Sequence, residues 1–385
     1  MDRLTAANSA FALNLFKKLS QNNNTANVFF SPLSISSALT MVSLGAAGNT
    51  ALLISRLLLS YGWLALPRVQ FSVHHQILVT PSLHRRTWPM LKHGGPVLFR
   101  NYPLWFLQDF LAGTQKFYRA ELATVDFQYN SDNTRKQINQ WVKDQTEGKI
   151  CDLLPEHSID KRTKLVLVNA IYFRADWAEK FQDKFTMEMP FRLNMVIERL
   201  VYKDFFLYLQ LVQCTRCRVL ELPYEGKEFS MMILLPDDIE DSSTGLEQLE
   251  KHLTFGKLLE WTHPAKMENT VVYVHLPKFK LEESYNLNND LAALGLLDIF
   301  NSRKADLSGM SEARNLYVSH IVHKSFIEVN EEGAEAAAAT AVVITTTCTS
   351  THIMEVDFNA DHPFLFFVRH NPTRSVLFFG RFASP

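Results

Sequence analysis

The sequence predicts a single mixed α+β domain. Three observations carry this reading. Helical patterns gather before residue 146, long β-rich runs dominate from residue 165 onward, and no repeat or Gly/Ser- or Pro-rich linker divides the 385 residues. Hydrophobic residues make up 47% and charged residues 21%, as expected of a globular chain with a sizeable core.

The first helix is predicted over residues 5–20, where Phe11, Leu13, Leu15, Phe16 and Leu19 recur at roughly helical spacing. Ser31-Pro32 is a helix start signal and predicts a second helix over 32–45. Two more helices are expected over 104–122 and 132–146. The run from Leu165 to Phe173 is β-rich and long enough for a central strand. Residues 229–235, 271–276 and 364–368 read as further strands, the first closed by the turn Leu235-Pro236-Asp237-Asp238.

Composition narrows the function. A formal net charge of −1 gives no reason to expect a nucleic-acid or membrane partner. The N-terminal residues carry no secretory-signal pattern, and no long apolar run is present, so a cytoplasmic chain without a membrane span is expected. The four cysteines, Cys151, Cys214, Cys217 and Cys348, are too few for a disulfide framework. Cys214-x-x-Cys217 has redox or half-zinc spacing, but no second ligand pair completes a zinc site, so ordinary thiols are expected and no metal or cofactor. No G-x-S-x-G, H-E-x-x-H, P-loop or G-x-G-x-x-G pattern occurs, which argues against an enzyme.

Residues 52–100 stand apart. No Asp or Glu occurs between Arg3 and Gln108, and this segment carries six Arg/Lys and four His with no clear period. Two readings stay open: a polyanion-binding insert, or a coding stretch not selected for this fold.

Residues 324–347 hold an internal conflict. Lys324 to Asn330 alternates like a strand. Glu331-Glu332-Gly333-Ala334-Glu335-Ala336-Ala337-Ala338-Ala339-Thr340-Ala341 then favours helix, and Val342 to Thr347 favours strand. Laid out as a strand, the even positions from Ala334 to Thr346 form an uncharged face that begins with small side chains, while Glu335 lies on the opposite face. Such a segment is suited to entering a sheet, with Gly333 as its hinge.

The neighbouring motifs give this segment a context. Glu331 to Ala341 resembles the reactive-loop hinge of the serpins. Phe358-Asn359-Ala360-Asp361-His362-Pro363-Phe364 resembles the signature that follows that loop. Asn27 to Ile35 resembles the family's shutter region, with Ser31, Ser34, Asn169 and His323 at matching positions. Trp177 matches the breach tryptophan, and Ile138-Asn139-x-Trp141-Val142 with Thr146-x-x-Lys149-Ile150 matches helix F. Within the family the chain is similar to clade B, the ovalbumin-like intracellular serpins. The resemblance covers roughly residues 1–50, 102–193, 217–341 and 358–385.

The resemblance implies about nine helices, three β-sheets and an exposed reactive-centre loop over 331–357. It implies inhibition of a serine protease by suicide-substrate acylation and loop insertion, as a monomer with possible release to the extracellular space. Hinge residues would be Glu331, Glu332, Gly333, Ala334, Glu335, Ala336, Ala337, Ala338, Ala339 and Thr340. The family's spacing of about seventeen residues from Glu331 implies Thr347–Cys348 as the reactive bond, with cleavage after Thr346 or between Cys348 and Thr349 as alternatives. Small and β-branched neighbours favour elastase-like targets over trypsin-like ones, and the resemblance implies elastase- or chymotrypsin-like serine proteases as partners, with cysteine proteases as a second class. Segment 52–100 lacks a matching pattern for helices C and D and strand 2 of the main sheet, and segment 194–216 departs where strands of sheets C and B are expected, which leaves a non-inhibitory serpin-fold binding protein or an inactive variant as the alternative.

Overall fold

The computed structural model describes residues 3–22, 25–59, 90–102, 104–118, 120, 122–192, 196–212, 217–237, 239, 244–313, 315–334 and 355–385. The chain opens with α1 (Arg3–Asn22), β1 (Val28–Phe30), α2 (Pro32–Gly45) and α3 (Gly48–Leu59). Ser31 caps α2: its side chain accepts the Ser34 N–H, and Pro32 takes the first helical position, where a missing N–H costs nothing. Then follow β2 (Met90–Asn101), α4 (Gln108–Tyr118), β3 (Leu122–Val125), α5 (Phe127–Gln145) and β4 (Leu165–Asp176). The helix expected over 104–122 is thus the shorter α4, and the one expected over 132–146 begins earlier, after the Asp126 cap.

The second half contributes β5 (Met187–Phe191), β6 (Val196–Val212), β7 (Cys217–Pro223), β8 (Phe229–Pro236), α6 (Glu247–His252), α7 (Phe255–Trp261), β9 (Glu268–Pro277), β10 (Phe279–Asn286) and α8 (Asn288–Ala293). It closes with β11 (Val318–Val329), β12 (Gly333–Ala334), β13 (Glu355–Asn359), β14 (Phe364–His370) and β15 (Ser375–Phe382). Eight α-helices are found among the described residues.

The main sheet has the order β10-β11-β12-β4-β2-β3, with β11 also pairing directly with β4. A larger sheet runs β1-β15-β14-β8-β7-β6-β9-β13, with β5 on β6. The long strand β6 joins what would otherwise be two smaller sheets, pairing with β9 over residues 200–209 and with β7 over 208–212. That strand crosses the segment where no family pattern was legible.

The second strand of the main sheet, for which residues 52–100 offered no pattern, is present as β2. It pairs antiparallel with β4 and parallel with β3. The register shifts between Gly94 and Val97, where Gly95-Pro96 interrupts the ladder and hides the strand from a periodicity reading. Beyond the bulge, Leu98 enters one core cluster, while Val97 and Phe99 enter another on the opposite face. Residues 60–89 lie outside the described residues, and so does Cys214.

Strand β4 explains its own uninterrupted apolar sequence. Leu165, Leu167, Ile171, Phe173 and Ala175 face the interior between the sheets. Val166, Val168, Ala170 and Tyr172 face the other way, onto Ile138 and Val142 of α5 and onto Ile150 and Leu153 after it. A strand covered on both faces needs apolar residues at every position. Helix α5 is held over the sheet by Asn139, whose side chain exchanges two hydrogen bonds with the backbone of Leu154 at 2.9 and 2.8 Å.

Candidate functional site

The parallel pair β4–β11 is the frame of the site. Its ladder runs from Val318 and Leu165 up to Phe326 and Tyr172, with His323 directly opposite Asn169. Above that point the strands diverge and β12 enters between them. Ala334 pairs antiparallel with Val329 on one side and with Ala175 on the other, and Gly333 pairs with Asp176.

At mid-sheet, Ser31, Ser34, Asn169 and His323 are brought into one buried cluster. The Ser31 N–H donates to Nε2 of His323 at 3.0 Å, which leaves Nδ1 as the protonated nitrogen, and Nδ1–H donates to Asn169 Oδ1 at 3.2 Å. Ser34 Oγ donates to the same Asn169 oxygen at 2.8 Å, and Asn169 Nδ2 donates to the Ser34 carbonyl at 2.7 Å. Ser31 Oγ donates to the Leu377 carbonyl at 2.7 Å. Complete burial pushes the His323 pKa down to about 3, so the ring is neutral at physiological pH. The helix α2 cap, both central strands and β15 therefore meet in one polar knot inside an apolar core.

At the upper end, Trp177 is buried and stacks on Tyr224 with centroids 4.5 Å apart and planes 7° from parallel. Its indole N–H donates to the Asn330 carbonyl at 3.0 Å, and its backbone N–H donates to the Glu332 carbonyl at 2.8 Å. The Phe181 N–H takes the Glu331 carbonyl at 2.8 Å. Glycine is required at 333. A Cβ there would lie 2.1 Å from the Ala175 carbonyl oxygen, and φ is +152°.

Charge fixes the same turn. Glu331 accepts from Lys278 Nζ at 3.0 Å and from Thr186 Oγ1 at 3.0 Å. Burial works against its ionisation, but its own backbone N–H, Lys278 and Thr186 outweigh burial and hold the carboxyl below the usual range. Glu332 pairs with Lys180, which also holds Asp176 at 3.0 Å. Desolvation opposes the Lys180 charge, yet the two carboxylates raise its pKa overall.

Sequence reasoning missed Lys278, Thr186 and Lys180, which lie far along the chain from the Glu331 and Glu332 side chains they hold, and Tyr224, which lies far from the Trp177 it stacks on. It also read Asn330 only as the end of a strand. Asn followed two residues later by an amide-bearing turn ending in Gly was the available signal. Hinge residues Glu335, Ala336, Ala337, Ala338, Ala339 and Thr340, and reactive-bond candidates Thr346, Thr347, Cys348 and Thr349, lie outside the described residues. Cys217 is free and buried, and burial raises its thiol far above the ordinary value, so it is inert. Among the described residues no group of three or more His, Cys, Asp or Glu is placed to hold a metal.

The geometry agrees with what the chain is similar to. The family model described as Serpin (serine protease inhibitor) matches residues 6–385. Leukocyte elastase inhibitor of Equus caballus is 51% identical over 390 residues, covering 100% of both chains. Among solved structures, uncleaved ovalbumin matches with a TM-score of 0.88 at 33% identity, over 99% of this chain and 100% of that one. A loop-inserted structure of a cleaved ovalbumin mutant matches with a TM-score of 0.86 at 32% identity, over 99% and 100%. With a family model and a relative at this identity both spanning the chain, it belongs to the serpins, the serine protease inhibitors.

Proposed function

We propose that this chain traps an elastase- or chymotrypsin-like serine protease as an acyl-enzyme by inserting its cleaved loop into the main sheet. The reading takes residues 1–385 as one domain acting as a cytoplasmic monomer, with 331–357 as the reactive-centre loop. No described helix is long and apolar enough to cross a membrane. The observation that carries the reading is β12: Gly333 already pairs with β4, and Ala334 pairs with both β4 and β11.

Continuing that register is simple arithmetic. Gly333 opposite Asp176 and Ala334 opposite Ala175 give a constant sum of 509, so Thr340 would fall opposite Asn169. Ala334 opposite Val329 gives 663, so Thr340 would also fall opposite His323. The two results agree with the direct pairing of His323 with Asn169, so one residue would enter between them. Even positions from Ala336 to Ile344 would then share the interior face of Phe173, Ile171, Leu167 and Leu165. Odd positions Ala337, Ala339 and Ala341 would slide beneath α5, beside Tyr172, Ala170 and Val168. Small side chains are needed on both faces, which accounts for the unbroken alanine run.

The driving force follows from the same geometry. The protease serine attacks the loop, with Thr347–Cys348 as the expected scissile bond, and forms an ester to the new C-terminus. About ten new ladder hydrogen bonds at about 0.5–1.5 kcal/mol each, plus burial of Val342 and Ile344 at about 1.5–3 kcal/mol each, rival the stability of a whole domain. This carries the attached protease across the molecule before the ester is hydrolysed.

Incubation with pancreatic elastase and with chymotrypsin tests the reading. An SDS-stable complex with a released peptide beginning at Cys348 is expected. Loop cleavage without any complex would contradict it.

A further inference from the structure

Residues 330–333 form a turn whose main-chain groups are satisfied by a side chain rather than by the usual cross-turn bond. Asn330 N–H donates to the Gly333 carbonyl at 2.9 Å. In the return direction, the Gly333 N–H donates not to the Asn330 carbonyl but to the Asn330 side-chain Oδ1 at 3.2 Å. The Glu332 N–H donates to the same Oδ1 at 3.0 Å. The Asn330 carbonyl is thereby released to accept the Trp177 indole at 3.0 Å. Glu331 and Glu332 carbonyls are taken by the backbone of Phe181 and Trp177, each at 2.8 Å. None of these bonds involves a residue beyond Gly333, so the turn needs nothing from the rest of the loop.

We propose that Asn330 is a positioning residue for loop insertion: its side chain fixes the turn, and the turn fixes the register in which the loop enters. Register matters because the side-chain period of a strand is two. A slip of one residue would send Glu335 to the interior face and every small even residue to the other. With Asn330 in place, the first pair, Val329 with Ala334, is set before cleavage, and each later residue adds to a ladder of defined register. Without it, two turn amides lose their acceptor, and the ladder must find its register while the ester is exposed to water.

This inference rests on the inhibitory reading above, and its test separates the two. The full-length wild type and the variants N330A, N330S and N330D are each titrated against pancreatic elastase, and moles of inhibitor consumed per mole of protease trapped are measured on SDS gels. Asp keeps an oxygen in the place of Oδ1, and Ser brings only a shorter hydroxyl. N330A is expected to raise the ratio about threefold or more as insertion slows about tenfold, N330S to fall between, and N330D to stay near wild type. The initial rate of loop cleavage should be the same in all four, and the gain in heat resistance on cleavage should also be the same, since the turn is present both before and after insertion. Should N330A not fold, the order of N330S against N330D decides. Equal ratios across the variants, or N330D behaving as N330A does, overturn the inference alone. Wild type that is cleaved without trapping overturns the inhibitory reading and the inference with it.

Discussion

The Nδ1–H of His323 donates to Oδ1 of Asn169 at 3.2 Å, so two neighbouring strands of the main sheet are tied by a buried side-chain bond directly above their backbone ladder. On the proposed mechanism these strands must part at that pair. The bond must break for a residue of the loop to enter, and the polar groups released must find new partners there.

Acidity should probe this cluster. His323 is held neutral in the folded chain, with its pKa near 3, against about 6.5 when unfolded. Its contribution to stability is therefore complete above about pH 6.5. It is lost as pH falls toward 3, because the unfolded chain takes up the proton first. Replacing His323 with Asn removes that proton, so the drop in denaturation free energy between pH 7 and pH 5 should be shallower in H323N by up to about 1.4 kcal/mol per pH unit. Parallel pH profiles for the two proteins would contradict it.

Gly333 should not tolerate a side chain. In G333A the new Cβ collides with the Ala175 carbonyl oxygen, and relieving the clash expels β12 from between its neighbours. A loss of about 1–3 kcal/mol in the uncleaved form is expected from chemical denaturation. Amide exchange at Ala175 and at Asn330, whose N–H donates to the Gly333 carbonyl, should also rise, and unchanged protection there would argue against the observed pairing as the resting state.

Thr340 is expected to meet Asn169 and His323 in the inserted form. T340R would place a guanidinium inside that buried cluster, at a cost of several kcal/mol. The uncleaved protein should denature as wild type does, the loop should be cut at the normal rate, and trapping should be largely lost in favour of cleaved product. Normal trapping by T340R would place the inserted strand in another register.

Much of this was legible in the sequence because apolar continuity and small-residue runs report burial directly. The run from Leu165 to Phe173 reads as a central strand and is one, and the structure adds that it is covered on both faces. The alanines of 334–341 were read as a one-faced strand with the Glu335 face in solvent. In the proposed inserted register, the packing of α5 over Val168, Ala170 and Tyr172 would give the odd positions a reason to be small as well. Strand β2 was illegible because Gly94-Gly95-Pro96 breaks its alternation, so its pairing with β4 depends on tertiary context. The clamp of Lys278 on Glu331 and the indole bond of Trp177 to Asn330 join residues 53 and 153 positions apart, and no local pattern encodes such pairs.

Thermal unfolding before and after a single cut near Thr347 tests the stored-energy claim most directly. Insertion should add about 10 kcal/mol of strand pairing and burial, so the cleaved chain should unfold on the order of 10 °C or more above the intact one. A midpoint that stays the same or falls after the cut would contradict loop insertion as the source of inhibition.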